Sequence, residues 1–317
     1  MLKKLHGRKL AVCLIGGAMY ALFSAFGWQA EHGGVIWAGG ALLVAALLVW
    51  PIAALLAVLL ACPAWATMLV VCGIAGIAAY ELLHTAGKNV PTSIYLLTVA
   101  AAAAYEVLLY YSEWTFFGTI QTVTVLRWAF LMLLFFTAVH RFGGERPFVF
   151  STLCAAVVGG IVFPAMYSCI FLLRSYADFG RVYVLAPFFI AFAGDALSMY
   201  FGMWFGKRKM APHVSPHKTW AGGFGGPIGS ALAMLLLGLI AQKWLGYAPD
   251  YARLALVGAV ANVFGQLGDL SMSLIKREAG IKDYSHLFLT HGGMLDRFDS
   301  TMFIAPVVYF FVAGGIL

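Results

Sequence analysis

Apolar residues run through this chain in long stretches separated by short polar breaks. A membrane-spanning helix needs about 20 mainly apolar residues, and runs of that kind lie near residues 10–28, 35–62, 64–84, 93–111, 122–140, 149–173, 182–205, 226–245, 251–275 and 300–317. Alternation with period two is weak and helix formers abound, which sets a β-barrel aside. The pattern predicts an all-α, polytopic integral membrane protein of about ten transmembrane helices. It divides into N-terminal membrane helices over 1–148 and a second membrane domain over 149–317, where the polar chemistry collects. The basic residues 1–9, followed by a long apolar run and further spans, read as leading into a first anchor rather than as a cleaved leader.

Composition sharpens this reading. Of 317 residues 62% are hydrophobic and 10% charged, with a mean hydropathy of +0.90, which excludes a water-soluble enzyme, a disordered chain, collagen and a coiled coil. Twenty Lys and Arg against 13 Asp and Glu leave a formal charge of +7, and their placement matters more than their sum. Loops 85–92, 141–147, 207–221 and 276–299 are separated by even numbers of spans, and they hold most of the cations. Loops 112–121, 174–181 and 246–250 are poorer in them, so the positive-inside rule sends the first set to the cytoplasm. Three spans before residue 85 put the basic amino terminus outside, against the same rule. Either 35–84, broken by Pro51 and Pro63, crosses three times, or one segment is re-entrant. The five cysteines, Cys13, Cys62, Cys72, Cys154 and Cys169, show no CxxC and imply neither zinc nor a disulfide framework. Residues 35–62 and 100–105 read as lipid-facing or packing helix, and Glu81, His84 and Glu106 as interface residues rather than members of a site.

Two stretches break the apolar monotony. In the first, Asp195 lies within a hydrophobic helix, where a carboxylate is costly and faces a partner or a polar cavity. Gly194, Ser198, Gly202 and Gly206 recur every fourth position, a ridge where another backbone can approach. Beyond it come Lys207, Arg208, Lys209, then Ser215, Lys218, Thr219 and a run of glycines. In the second stretch, Asn262, Gln266, Asp269, Ser273 and Lys276/Arg277 fall on about one third of a helix circumference at ~100° per residue. That stripe leads into Lys282, Asp283, His291, Gly292, Gly293, Asp296, Arg297 and Asp299. A solvated basic hairpin with Asp299 capping the last helix accounts for the cations, but not for Asp269 within the span or for the glycines beside His291.

Carboxylates alone would suit a cation channel, and cations alone a lipid-binding patch. Both together, with glycines, suit a nucleoside triphosphate: Lys and Arg for its phosphates, backbone amides, and acids for a divalent cation. The mixture at the end of the spans points to phosphoryl or nucleotidyl transfer onto a substrate in the bilayer. The chain contains no GxxxxGK[ST], no strand–helix GxGxxG and no GxSxG, so soluble nucleotide folds and a Ser/His/Asp hydrolase are set aside.

At these residues the sequence resembles the phosphatidate cytidylyltransferases, also called CDP-diacylglycerol synthases. Their signature, Ser-x-hydrophobic-Lys-Arg-x4-Lys-Asp followed by His-Gly-Gly-x-x-Asp-Arg-x-Asp, is met by Ser273, Lys276, Arg277, Lys282, Asp283, His291, Gly292, Gly293, Asp296, Arg297 and Asp299. Asp195, Phe205-Gly206-Lys207, Ala211-Pro212, Val214-Ser215-Pro216, Lys218-Thr219-Trp220, Gly222 and Gly225-Gly226 are similar to an earlier family element, so the likeness covers about 190–303. Departures are Ala221, where Glu or Gln is usual, Met272, where Glu is usual, and Tyr284, Ser285, His286, Leu289 and Thr290 in place of a Ser-Gly-His…Pro-Gly pattern.

The resemblance implies an enzyme that joins CTP to phosphatidate, or a related membrane lipid phosphate, giving CDP-diacylglycerol and pyrophosphate. It implies Mg²⁺, with a second cation left open. Asp269 and Asp296 are its first-choice ligands and Asp195, Asp283 and Asp299 nearby acidic support, while Lys276, Arg277 and Arg297 join the two aspartates in catalysis. Ser215, Lys218, Lys282, His291, Gly292 and Gly293 are expected around the nucleotide. The implied setting is a homodimer in a bacterial-type inner membrane, among membrane lipids, with the site facing the cytoplasm and no nucleic acid as partner. Two alternatives stand beside it: a transporter with Asp195 and Asp269 along an ion path, and a non-catalytic paralogue that binds lipid or a partner, for which Ala221 and Met272 speak.

Overall fold

The structure, a computed structural model, describes residues 55–317 apart from 88–89, 112–114, 117–119, 144–147, 177–178, 247 and 288–291. The chain forms two compact units, Met1–Ala61 and Cys62–Leu317. The expected boundary at 148 falls inside the second unit. The run at 10–28, most of that at 35–62 and the question of the amino terminus lie outside the described residues.

Every other apolar run is helical. Helices α1 (Ala64–Ala86), α2 (Thr92–Tyr110) and α3 (Thr122–His140) are followed by α4 (Phe150–Val157) and α5 (Phe163–Ser175), joined by a π turn over Val158–Val162. After the single turn α6 (Gly180–Tyr183) come α7 (Ala186–Phe205), α8 (Trp220–Leu245), α9 (Tyr251–Glu278) and α10 (Leu295–Ala313). Seven segments among the described residues are long and apolar enough to cross a membrane: α1, α2, α3, α4–α5, α6–α7, α8 and α9. Helix α10 occupies the last apolar run but brings Asp296, Arg297 and Asp299 with it.

Three local features depart from the sequence pattern. Helix α8 starts at residue 220 rather than 226, because Thr219 caps it by accepting the Gly222 amide at 3.2 Å. The glycine run is therefore helical. Helix α10 starts at 295 rather than 300, which puts Asp299 inside it instead of at its cap. Two small antiparallel hairpins were not expected: β1 (Thr115–Phe116) with β2 (Ile120–Gln121), and β3 (Lys209–Ala211) with β4 (Ser215–Thr219). Strands of two to five residues, one of them Ser-Pro-His-Lys-Thr, carry too little alternation to announce themselves.

Packing follows small and polar residues, because lipid tails give apolar helix faces no reason to associate. The ridge on α7 receives α8, with Ser198 behind Gly222 and Gly226, and Gly202 against Thr219. At Gly226 a Cβ would lie 2.5–2.6 Å from Asn262 Oδ1, Gln266 Nε2 and Ser198 Oγ, so three helices meet where there is no side chain. Leu173, Ile190, Met234, Leu237, Val257, Ala261, Ile304 and Val308 fill the core between α5, α7, α8, α9 and α10. Ala101, Ala102 and Tyr105 of α2 are buried and therefore packing residues. Cys62, Cys72, Cys154 and Cys169 are free thiols.

Glu81, near the end of α1, bonds the first amides of α10. Arg277, near the end of α9, bonds Val214 beside β4. The loops after α1, α7 and α9 thus share one end of the bundle, as span parity required. At the other end, Arg174 of α5 reaches the Cys62 carbonyl.

Gly226→Val should therefore lower stability in detergent by about 1–3 kcal/mol through overpacking. Gly73→Ala, where a Cβ meets nothing within 4 Å, should be neutral or stabilising by up to about 1 kcal/mol. Thermal unfolding followed by size-exclusion or tryptophan fluorescence checks the contrast.

Candidate active site

The site is assembled where α7, β4, α9 and α10 converge. The polar stripe of α9 forms its floor. Gln266 donates from Nε2 to Asn262 Oδ1 at 2.7 Å and to the Gly223 carbonyl at 3.0 Å, tying α9 to α8. One turn on, Asp269 accepts from Ser273 Oγ at 3.3 Å on one oxygen and pairs with Lys218 on the other. Lys218 comes from β4, so the hairpin delivers a cation onto a carboxylate of the span. Gly268 lets α10 close in: a Cβ there would lie 2.8 Å from the Asp299 carbonyl and 2.5 Å from the Phe303 ring.

Asp296 accepts from three donors. Its Oδ1 takes Lys276 Nζ at 2.6 Å, and its Oδ2 takes the Tyr284 amide at 2.8 Å and the Gly293 amide at 2.9 Å. The pair is buried, with side-chain exposures of 11% for Lys276 and 5% for Asp296. Asp299 accepts the Ser300 amide on Oδ1 at 2.7 Å. It lies within electrostatic reach of Asp269, Lys276 and Asp195, as Asp195 does of Asp269 and Lys218. Three carboxylates and two lysines therefore share one neighbourhood. Among the described residues no three acidic, histidine or cysteine side chains converge tightly enough to hold an ion by themselves.

The remaining expected residues sit around this centre. Arg277 donates to the Val214 and Ile281 carbonyls at 3.3 and 3.0 Å, binding hairpin and loop together. Ser215 pairs with Ala211 across the β3–β4 hairpin. Arg297, Lys282 and Asp283 are exposed. Gly292 has φ +82°, a conformation that suits glycine. The Gly293 amide is already given to Asp296, so it is not free for a phosphate. His291, Leu289 and Thr290 lie outside the described residues.

Two groups escape a reading of the sequence. Glu81, expected at an interface, is 2% exposed and bonds the loop that carries the site. Its signal, a carboxylate inside an apolar run, is the same as that of Asp195, but its partners are more than 200 positions away. Tyr284 is buried and donates from its hydroxyl to the Met272 carbonyl at 3.0 Å, with the Met272 sulfur at 3.8 Å. Burial first, and then the charges of Asp296, Asp299 and Glu81, push its phenol well above the ordinary value. It stays a neutral donor. Two of the departures noted above, Met272 and Tyr284, are thus in contact, and a carboxylate at 272 would enter a protein interior.

A profile of the cytidylyltransferase family matches residues 43–314. The phosphatidate cytidylyltransferase of Bacillus subtilis is 30% identical over 204 residues, covering 64% of this chain and 73% of its own length. That of Staphylococcus epidermidis is 41% identical over 129 residues, 41% of this chain and 48% of the relative. That of Rickettsia felis is 32% identical over 163 residues, 51% and 71% respectively.

The buried pair makes a stability prediction. Asp296→Ala strips Lys276 of its counter-charge and two amides of their acceptor, and should cost about 3–5 kcal/mol. Lys276→Met should cost less, because Asp296 keeps both amide donors. Thermal midpoints of the two purified variants in detergent give the order.

Proposed function

The chain belongs to the cytidylyltransferase family, and from that premise we propose that it transfers the cytidylyl group of CTP to phosphatidate, giving CDP-diacylglycerol and pyrophosphate. The observation that carries the reading is the set Asp195, Lys218, Asp269, Lys276 and Asp299, brought together from α7, β4, α9 and α10 at one end of a membrane bundle. An oxygen of the lipid phosphate attacks the α-phosphorus of CTP, and the bond to the β-phosphate breaks as pyrophosphate leaves. No protein nucleophile is needed. The protein's work is to position two anions and offset their repulsion.

Lys218 and Lys276 supply fixed positive charge in the half-buried centre, while the exposed Arg297 and Lys282 face outward where a triphosphate arrives. Arg277 steadies hairpin and loop. The donors suit Mg²⁺, which takes hard oxygens and needs only one or two carboxylates besides substrate oxygens. Asp269, supported by Asp195 and Asp299, is the foremost holder. Asp296, whose two oxygens already serve a lysine and two amides, acts chiefly as the anchor of α10. When bound, the cation would offset charge on the phosphates. The cluster of cations at this end supports a site facing the cytoplasm, in a bacterial-type inner membrane. A homodimer is the proposed assembly, to be read by light scattering. The ion-path alternative would be favoured by ion flux in proteoliposomes without CTP consumption.

Purified full-length protein given CTP, Mg²⁺ and phosphatidate should release pyrophosphate and form CDP-diacylglycerol. Asp269→Asn should lower kcat by at least about 100-fold. Arg297→Lys should raise the CTP requirement, since a point charge replaces a two-pronged donor. No product with any membrane lipid phosphate would defeat the proposal.

A further inference from the structure

Glu81 stands on α1, more than 100 residues before the signature elements of 190–303, yet its carboxylate is spent entirely on the far end of the chain. Oε1 accepts the Ser285 hydroxyl at 2.5 Å and the Met294 amide at 2.9 Å, and Oε2 accepts the Leu295 amide at 2.8 Å. Leu295 opens α10 and Met294 is the residue just before it, where helical hydrogen bonding supplies no acceptor for the amides. No Lys or Arg pairs with Glu81 among the described residues, so its charge rests on these donors and on the positive end of the helix.

The same contact explains a glycine. A Cβ on Gly293 would collide with the Glu81 carboxylate, while one on Gly292 would lie 2.7 Å from Asp296 Oδ2. Each glycine of the turn thus makes room for a protein carboxylate. Asp296 follows Leu295 directly, and Asp299 lies one turn further along α10.

We propose that Glu81 is the positioning residue of this turn: by gripping Ser285, Met294 and Leu295 across 204 to 214 positions, it sets where Asp296 and Asp299 stand relative to Lys276 and Asp269. The effect on turnover rests on the activity proposed above. The grip itself does not. A shift of about 1 Å in such a constellation costs about 100-fold in rate, so a group outside the reaction can govern it.

The test uses the full-length chain in lipid–detergent micelles, with Glu81→Ala, Glu81→Gln, Gly293→Ala and the Glu81→Ala/Gly293→Ala double variant. Hydrogen exchange of a peptide spanning 284–295 reports the grip, and kcat and KM for CTP and phosphatidate report its consequence. Glu81→Ala should speed exchange at Met294 and Leu295. It should also lower kcat about 10- to 100-fold, with KM for phosphatidate unchanged within about twofold. Glu81→Gln, of the same shape but with a single acceptor oxygen, should fall between, and it carries the test if the alanine variant does not fold. Gly293→Ala should resemble Glu81→Ala, but add less than about twofold when Glu81 is already alanine, because the collision has gone. Unaltered exchange and full kcat in Glu81→Ala would overturn the proposal, as would a Gly293→Ala penalty equally large in both backgrounds. If the wild-type protein turns over no lipid phosphate, the proposed activity fails, while exchange in the single and double variants still decides the role of Glu81.

Discussion

The first amides of a helix have no acceptor within it, and in a bundle surrounded by lipid there is little water to provide one. At the start of α10 this constraint is met by carboxylates. Glu81 takes the Leu295 amide of the first turn and that of Met294 just before it, and Asp296 takes the amides of Gly293 and of Tyr284 in the preceding loop. Negative charge is thereby held at the positive end of a helix, and Lys276 offsets that of Asp296 directly. The position of Asp299, the burial of Tyr284 and the need for two adjacent glycines all follow from how that helix begins.

The other half of the site is set by how closely α7, α8 and α9 approach. Apolar faces drive no association in lipid, so the helices adhere through small residues and hydrogen bonds between polar side chains and backbone. Ser230 donates to the Ile190 carbonyl at 2.7 Å, and Gln266 bridges Asn262 and Gly223. This seam leads down α9 to Asp269. Because β4 is continuous with α8 through the Thr219 cap, the packing of α8 on α7 also decides where Lys218 points. Structural polar contacts thus grade into functional ones along a single helix face.

Departures from the family's usual residues also become coherent in three dimensions. Met272 and Tyr284 touch, and Ser285, which stands where glycine is usual, donates to Glu81. Met272 on α9 and Tyr284 and Ser285 in the loop that follows it are thus held by contacts within the protein.

The amino-acid sequence by itself determined the helical membrane architecture, because runs of about 20 apolar residues leave lipid as the only solvent for them. It also determined the polar face of α9, since offsets of three, four and seven residues are a property of the helix repeat alone. The short β3–β4 hairpin had no such period, and the starts of α8 and α10 depended on caps rather than on hydropathy. Glu81 was legible as a carboxylate in an apolar run, but its role was not, for no local rule links residue 81 to residue 294. Which carboxylates are engaged by amides and a side chain of distant segments, as Asp296 and Glu81 are, and which face a cation from the β3–β4 hairpin, as Asp269 does, was decided only when the helices packed. Hydrogen bonds act over about 3 Å, and only tertiary structure brings groups 200 residues apart within that reach.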